Sequence, residues 1–173
     1  EIDAMTALVS REGWIWTANE DTGNLSEDAF EVTPFLVVMP NWFDLLPCRF
    51  IHGSEDVLND VNNAIVTESF AEMFGGQSAI GKTFHISNVR YTIAAIVEDI
   101  DSSSVLNGEY KVFVNLCHPN ESRLHNTGTY TGGAEEGVLT VIRFKEGADL
   151  TTVRKKINEI NDSYMPEQYR GNE

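Results

Sequence analysis

Residues 76–83, Gly76-Gln-Ser-Ala-Ile-Gly-Lys-Thr83, match the phosphate-loop pattern G-x-x-x-x-G-K-T letter for letter. In such a loop, backbone N–H groups cradle the phosphates, the Lys reaches the β/γ oxygens and the Thr hydroxyl holds magnesium. A little further on, Ile93-Ala-Ala-Ile-Val-Glu-Asp99 has the form of an apolar strand ending in acids. Such a strand usually supplies the carboxylate for that magnesium. Together these are the parts of a nucleotide hydrolase.

The elements that would have to position them are in the wrong order. A phosphate loop follows a buried strand and opens a helix, so that loop amides and the helix N-terminus converge on the anion. Here Phe70, Met73 and Phe74 precede the glycines at helical spacing. Ser69 and Glu72 offer a capping box for that helix, and Gly75 offers its stop. After Lys82 come Thr83-Phe-His-Ile-Ser and Val89-Arg-Tyr-Thr-Ile-Ala-Ala-Ile-Val. Both read as strands, with a turn expected at Ser87-Asn88. Gly76, Gly81, Lys82 and Thr83 are therefore read as a helix-to-strand turn, a false phosphate-loop match, and no cofactor is expected there.

Other chemistry is sparse. No C-x-x-C motif exists, and whether Cys48 and Cys117 pair is left open. Cys117, His118 and His125 have no supporting i,i+4 pair or second cluster, so no metal site is expected. Glu98, Asp99 and Asp101 lack the glycine and distal Glu of a calcium loop. No G-x-S-x-G, H-E-x-x-H or paired-acid motif sets a nucleophile beside a base, and the chain is read as no enzyme.

Composition narrows the partners. Acids outnumber bases 27 to 12 among 173 residues, a formal net charge of -15, which argues against nucleic acid and anionic lipid headgroups. With 42% hydrophobic residues the chain reads as globular. The longest apolar run, Phe35-Leu-Val-Val-Met39, is far short of the roughly 20 residues of a membrane span. Without an initiator Met or a signal peptide, the chain is expected to be an excised fragment.

In chain order, strands are expected at 5–9 and 13–17, separated by a charged turn at Ser10-Arg11-Glu12, with a polar loop over 19–28. Phe30–Met39 reads as one or two strands, Pro34 marking an edge or break. A short helix follows Pro40, with Trp42, Phe43, Leu45 and Leu46 as its apolar face. An acidic loop at 54–62 leads to a short strand at Ala64-Ile-Val66. Tyr110–Leu116 and Val138–Phe144 read as strands around a polar, Gly-rich loop at 118–137. Asp149 caps a helix with the stripe Leu150, Val153, Ile157 and Ile160, and 165–173 reads as a frayed tail. The fold class expected is α+β, mostly antiparallel strands with two or three helices.

The central block resembles the MacB-like periplasmic core domain of FtsX/MacB-type ABC transporter permeases. The residues that carry the resemblance are Trp42-Phe43, Gly53, Ala64-Ile-Val-Thr-Glu-Ser-Phe-Ala71, Met73-Phe74-Gly75, Ile80-Gly81-Lys82 and the strand from Tyr91 to Asp99. Ser104 and Leu106 resemble a short Ser-x-Leu feature of the family. The match is specific over about 38–106. It departs at Ala79, where a Pro is usual, and at Ala95, where a Gly is common.

The resemblance implies a non-catalytic domain on the extracytoplasmic, periplasmic face of a bacterial inner membrane. Such a domain lies between the first and second transmembrane helices of its permease. It would couple ATP hydrolysis by a separate cytoplasmic ATPase to export or signalling, engaging a substrate or a periplasmic partner protein. The helix from Asp149 resembles the one that returns to the membrane. By the same analogy, segments 1–50 and 135–165 form a porter-like subdomain into which a smaller one, 51–134, is inserted, and the fragment alone is monomeric. The alternative is a free-standing secreted module that binds a ligand or protein.

Overall fold

The computed structural model describes residues 2–17, 30–86, 89–104, 106, 108–118 and 139–164. The expected loops at 19–28, the turn at 87–88, all of the 118–137 segment except His118, and the tail lie outside them. The described residues hold eight strands: β1 Ile2–Trp16, β2 Phe30–Val38, β3 Phe50–His52, β4 Asn63–Thr67, β5 Thr83–Ile86, β6 Val89–Val97, β7 Val112–Asn115 and β8 Leu139–Phe144. They also hold three α-helices: α1 Trp42–Leu45, α2 Glu68–Glu72 and α3 Leu150–Tyr164.

The strands hydrogen-bond in the order β2-β7-β4-β6-β5-β1, and β1 pairs back onto β2, so six of them close a ring. β8 extends from β1, and β3 hangs on β6. Two pairings, β2 with β7 and β4 with β6, are parallel and the others antiparallel. This is the mostly antiparallel α+β class expected. Closure leaves the ring strands without a free edge over their paired lengths.

Two buried clusters follow from the strand period of two. On β2, Phe35 and Val37 point into the ring while Leu36 and Val38 point outward under α1. β7 divides likewise, with Val112 and Val114 inside and Phe113 outside. Strands buried on both faces read as continuous apolar runs. That explains why Phe35–Met39 is so apolar without being a membrane span. No helix among the described residues is long and apolar enough to cross a membrane.

Local expectations are decided in four places. Residues 5–17 are not two strands with a turn: Ser10, Arg11 and Glu12 run straight through β1, opposite Leu36, Phe35 and Pro34. Of the two readings of Pro34, edge or break, the edge holds: the pairing with β7 begins only at Phe35, the missing N–H is not called upon, and β2 continues. Ser69 does not cap α2; Thr67 holds that position, in an extended conformation and without a side-chain capping bond. The α3 stripe does not face a core. Val153 is buried, but Leu150 and Ile160 are more than half exposed.

Candidate functional site

The residues singled out in the sequence converge on α2. This helix has five residues, far below the length at which a helix is stable alone. Phe70 and Phe74 send their rings into the ring of strands. They stack with centroids 5.3 Å apart, and Phe84 meets Phe70 edge-on at 5.4 Å. Tyr91 continues the cluster beside Phe84, and His118 packs its ring on Tyr91. α2 is thus a plug whose position is set by aromatic packing.

Both ends of the plug are held by charged side chains of opposite sign. At its N-terminal end the Ser69 N–H donates to Asp99 Oδ1 at 3.1 Å. Asp99 lies two residues beyond the end of β6. Partial burial works to raise its pKa. The bonds from the Ser69 side chain and backbone, the Thr67 hydroxyl and the Lys111 charge outweigh that and hold the carboxyl below its usual range. At the other end Lys82 Nζ donates to the Phe74 carbonyl at 2.8 Å. An anion at the helix N-terminus and a cation at its C-terminus both complement the backbone dipole.

The glycines between helix and strand serve the same turn. Gly75 adopts φ 91 and ends the helix in a left-handed conformation, and Gly76 and Gly81 also have positive φ. Three of the amides that a phosphate loop would offer to an anion are occupied. Ser78 donates to the Gly75 carbonyl, Lys82 to that of Ala79, and Gly81 to that of Ile93 at 2.8 Å. Ile93 returns a bond to the Lys82 carbonyl at 2.9 Å, fixing the turn to β6. Gly76–Ala79 is a 3-10 turn and Thr83 opens β5, so no α-helix N-terminus follows Lys82. A groove beside α2, lined by Ile51, Glu68, Glu72 and Gln77 among others, has a volume of about 120 Å³. Small-molecule sites measure roughly 300–1,000 Å³.

The remaining motif residues have packing positions. Trp42 is wholly buried on the outer face, and Phe43 meets Phe50 and Phe113 edge-on at 5.3 and 5.4 Å. Ile80 packs on the interior cluster. Gly53, at φ 77, lies so close to β6 that a Cβ there would stand 2.8 Å from Ala95 Cβ and 2.9 Å from the Ala94 carbonyl. The small residue at 95 and the glycine at 53 are two sides of one close approach.

The acids after β6 diverge instead of clustering. Glu98 pairs with Arg49, Asp99 binds α2, and Asp101 accepts the Ser103 N–H at 2.7 Å. Among the described residues no group of three or more His, Cys, Asp or Glu is placed to hold a metal. Cys48 and Cys117 are not joined to each other, and burial pushes the Cys48 thiol up. What the sequence reading missed is the double clamp on α2. Its only sequence signal is a Lys just past a glycine helix stop and an acid closing a strand.

The model of the MacB-like periplasmic core domain matches residues 2–160. No curated protein matches the sequence significantly. Among solved structures, a domain of a presumed permease protein from Porphyromonas gingivalis superposes with a TM-score of 0.72 at 18% identity, covering 98% of this chain and 68% of its own. The periplasmic region of MacB from Actinobacillus actinomycetemcomitans gives 0.62 at 15% identity, with 94% and 67% covered. The extracellular domain of the noncanonic ABC-type transporter YknZ from Gram-positive bacteria gives 0.63 at 11%, with 94% and 75% covered.

Proposed function

We propose, for a chain that belongs to the MacB-like periplasmic core domain family, a mechanical role without chemistry of its own. As a periplasmic domain of a MacB/FtsX-type ABC transporter permease, it lies on the extracytoplasmic face of the membrane. It is tethered there by transmembrane helices of the same permease. Movement driven by a cytoplasmic ATPase passes through those helices into this domain, which engages an exported substrate or a periplasmic partner. The domain itself binds no nucleotide and is monomeric.

The observation that carries this reading is the family match over residues 2–160. The geometry is in keeping with it, because Lys82 and Asp99, the residues that most suggested catalysis, are spent on holding α2. The division into a porter-like part, 1–50 with 135–165, and an inserted part, 51–134, is proposed on the same grounds. The β1–β8 ladder supports the union of the two chain ends, while the β1–β5 and β2–β7 ladders tie the insert into the same sheet.

Hydropathy of the parent gene tests the placement. One apolar span of about 20 residues upstream and three downstream are expected. A cleavable signal peptide with nothing apolar downstream would replace this reading with that of a secreted binding module.

A further inference from the structure

We propose that the outer sheet face at the Trp16 end of β1 is a docking surface for an acidic segment of a partner protein, anchored by an apolar side chain on Trp14 and Trp16. Trp16 is the cross-strand partner of His85 on β5, and His85 that of Arg90 on β6. Direct partners in an antiparallel ladder share a face. Trp14 joins the row, its ring centroid 6.5 Å from that of Trp16. Four side chains across three strands thus form one continuous strip, opposite in direction to the buried Ile15, Phe84, Ile86 and Tyr91. Where the outer face lies under α1 and the 3-10 turn Glu55–Asn59, Trp42 and Leu58 are buried completely. Along the strip Trp14, 53% exposed, and Arg90 stand open, while Trp16 and His85 are half-buried.

The chemistry of the strip selects the occupant. Exposed tryptophans are rigid anchors that bury large area at low entropic cost, and they are enriched where proteins meet. Arg90 is exposed and forms no ion pair among the described residues. His85 is half-buried, its Nδ1 enclosed and without a hydrogen-bond partner among the described residues. Burial, and then the Arg90 charge, hold that imidazole below the usual histidine range, so Arg90 supplies the charge of this end. The chain as a whole is strongly acidic, yet at physiological salt charges beyond about 8 Å are largely screened, so the local cation governs a contact made here. Glu12, on the same face two residues before Trp14, repels an acid from the opposite end and sets the direction of the bound segment.

Position fits as well. Trp16 lies 14 residues along β1 from Ile2, roughly 45 Å at strand rise. Ile2 pairs with Phe144, so β1 begins and β8 ends together at the other end of β1. This step rests on the proposed tethering through the chain ends, which puts the strip away from the membrane and open to a periplasmic protein.

The test uses the whole chain and a blocked hexapeptide of alternating Phe and Asp, with the Phe/Lys peptide as control, read by tryptophan fluorescence and calorimetry. Saturable binding with a Kd below about 1 mM is expected, weakening at high salt. Arg90→Glu and the double substitution Trp14→Ala with Trp16→Ala should each weaken it about tenfold or more with an unchanged melting temperature. If the double variant fails to fold, Arg90→Glu carries the test. Absence of saturation, equal binding of the Phe/Lys peptide, or indifference to Arg90→Glu overturns the proposal. So does a Trp-dependent dimer in sedimentation, which would assign the strip to a second copy. Failure on any of these counts leaves the permease placement standing, since flanking hydropathy tests that separately.

Discussion

α2 has five residues and α3 has fifteen, yet the short helix is the better anchored. α2 buries Phe70 completely, plugs the ring of strands, bonds to Asp99 through the Ser69 N–H, and runs into a turn that Lys82 holds at the Phe74 carbonyl. α3 is stabilised mostly from within: Asp149 accepts the Thr151 and Thr152 N–H groups, and Lys155 pairs with Glu159 across one turn. Only Val153 of its apolar stripe is fully covered. Helix length therefore measures self-sufficiency, and tertiary contact measures anchoring; in this chain the two run in opposite directions.

The sharpest way to break the comparison is to substitute matched apolar residues. Phe70→Ala should cost about 3–5 kcal/mol, measured as a lower urea midpoint at unchanged slope. Ile160→Ser on α3 should stay within about 0.5 kcal/mol. Similar losses at both sites would erase the distinction. Glycines offer a second pair, because Gly53 and Gly147 have nearly equal positive φ but different surroundings. A Cβ at 147 meets nothing within 4 Å, whereas one at 53 collides with Ala95 and the Ala94 carbonyl. Gly147→Ala should cost about 1 kcal/mol and Gly53→Ala about 2 kcal/mol or more, read as melting temperatures.

Smaller effects probe the clamps on α2. Lys82→Met should destabilise by about 1 kcal/mol through the lost bond to Phe74. Mg-ATP should leave the melting temperature of the unaltered chain where it was; a concentration-dependent rise would revive the phosphate-loop reading. Asp99→Asn should cost about 0.5 kcal/mol at neutral pH, reduced by the exposure of this side chain. The folded pKa of Asp99 is lowered, so its contribution is present above the unfolded value and lost as pH falls through the folded one. The gap between the unaltered chain and Asp99→Asn should therefore close below about pH 4, and a gap unchanged at pH 3 would assign the effect to shape alone.

These contrasts also separate what neighbouring residues dictate from what only the folded chain decides. The strand class, the helix before Gly75 and the helix-to-strand order around Gly76–Thr83 follow from local propensity, and all three are legible in the sequence. The sequence misleads where distant pairing overrides local signs. Ser10-Arg11-Glu12 resembles a turn, but β2 supplies a full ladder opposite it, and the strand continues. Ser69 resembles a cap, but Asp99, thirty residues away, takes the capping role. The α3 stripe has helical period, yet period alone says only that one face is apolar, not that anything covers it. Trp14 and Trp16 read as ordinary strand residues, and only the ring closure places β5 beside them.

The β1–β8 ladder bears on how this domain responds to load. Ile2 and Phe144 are partners at one end of that ladder, where β1 begins and β8 ends. Forces that pull the two ends apart would open the bonds between these strands one pair at a time, like a zip, at low tension. Forces that push or turn both ends together load no single pair. They travel along β1 into β2 and around the closed ring as a rigid lever. The same fold is thus weak to separation of the start of β1 from the end of β8 and stiff to their common motion.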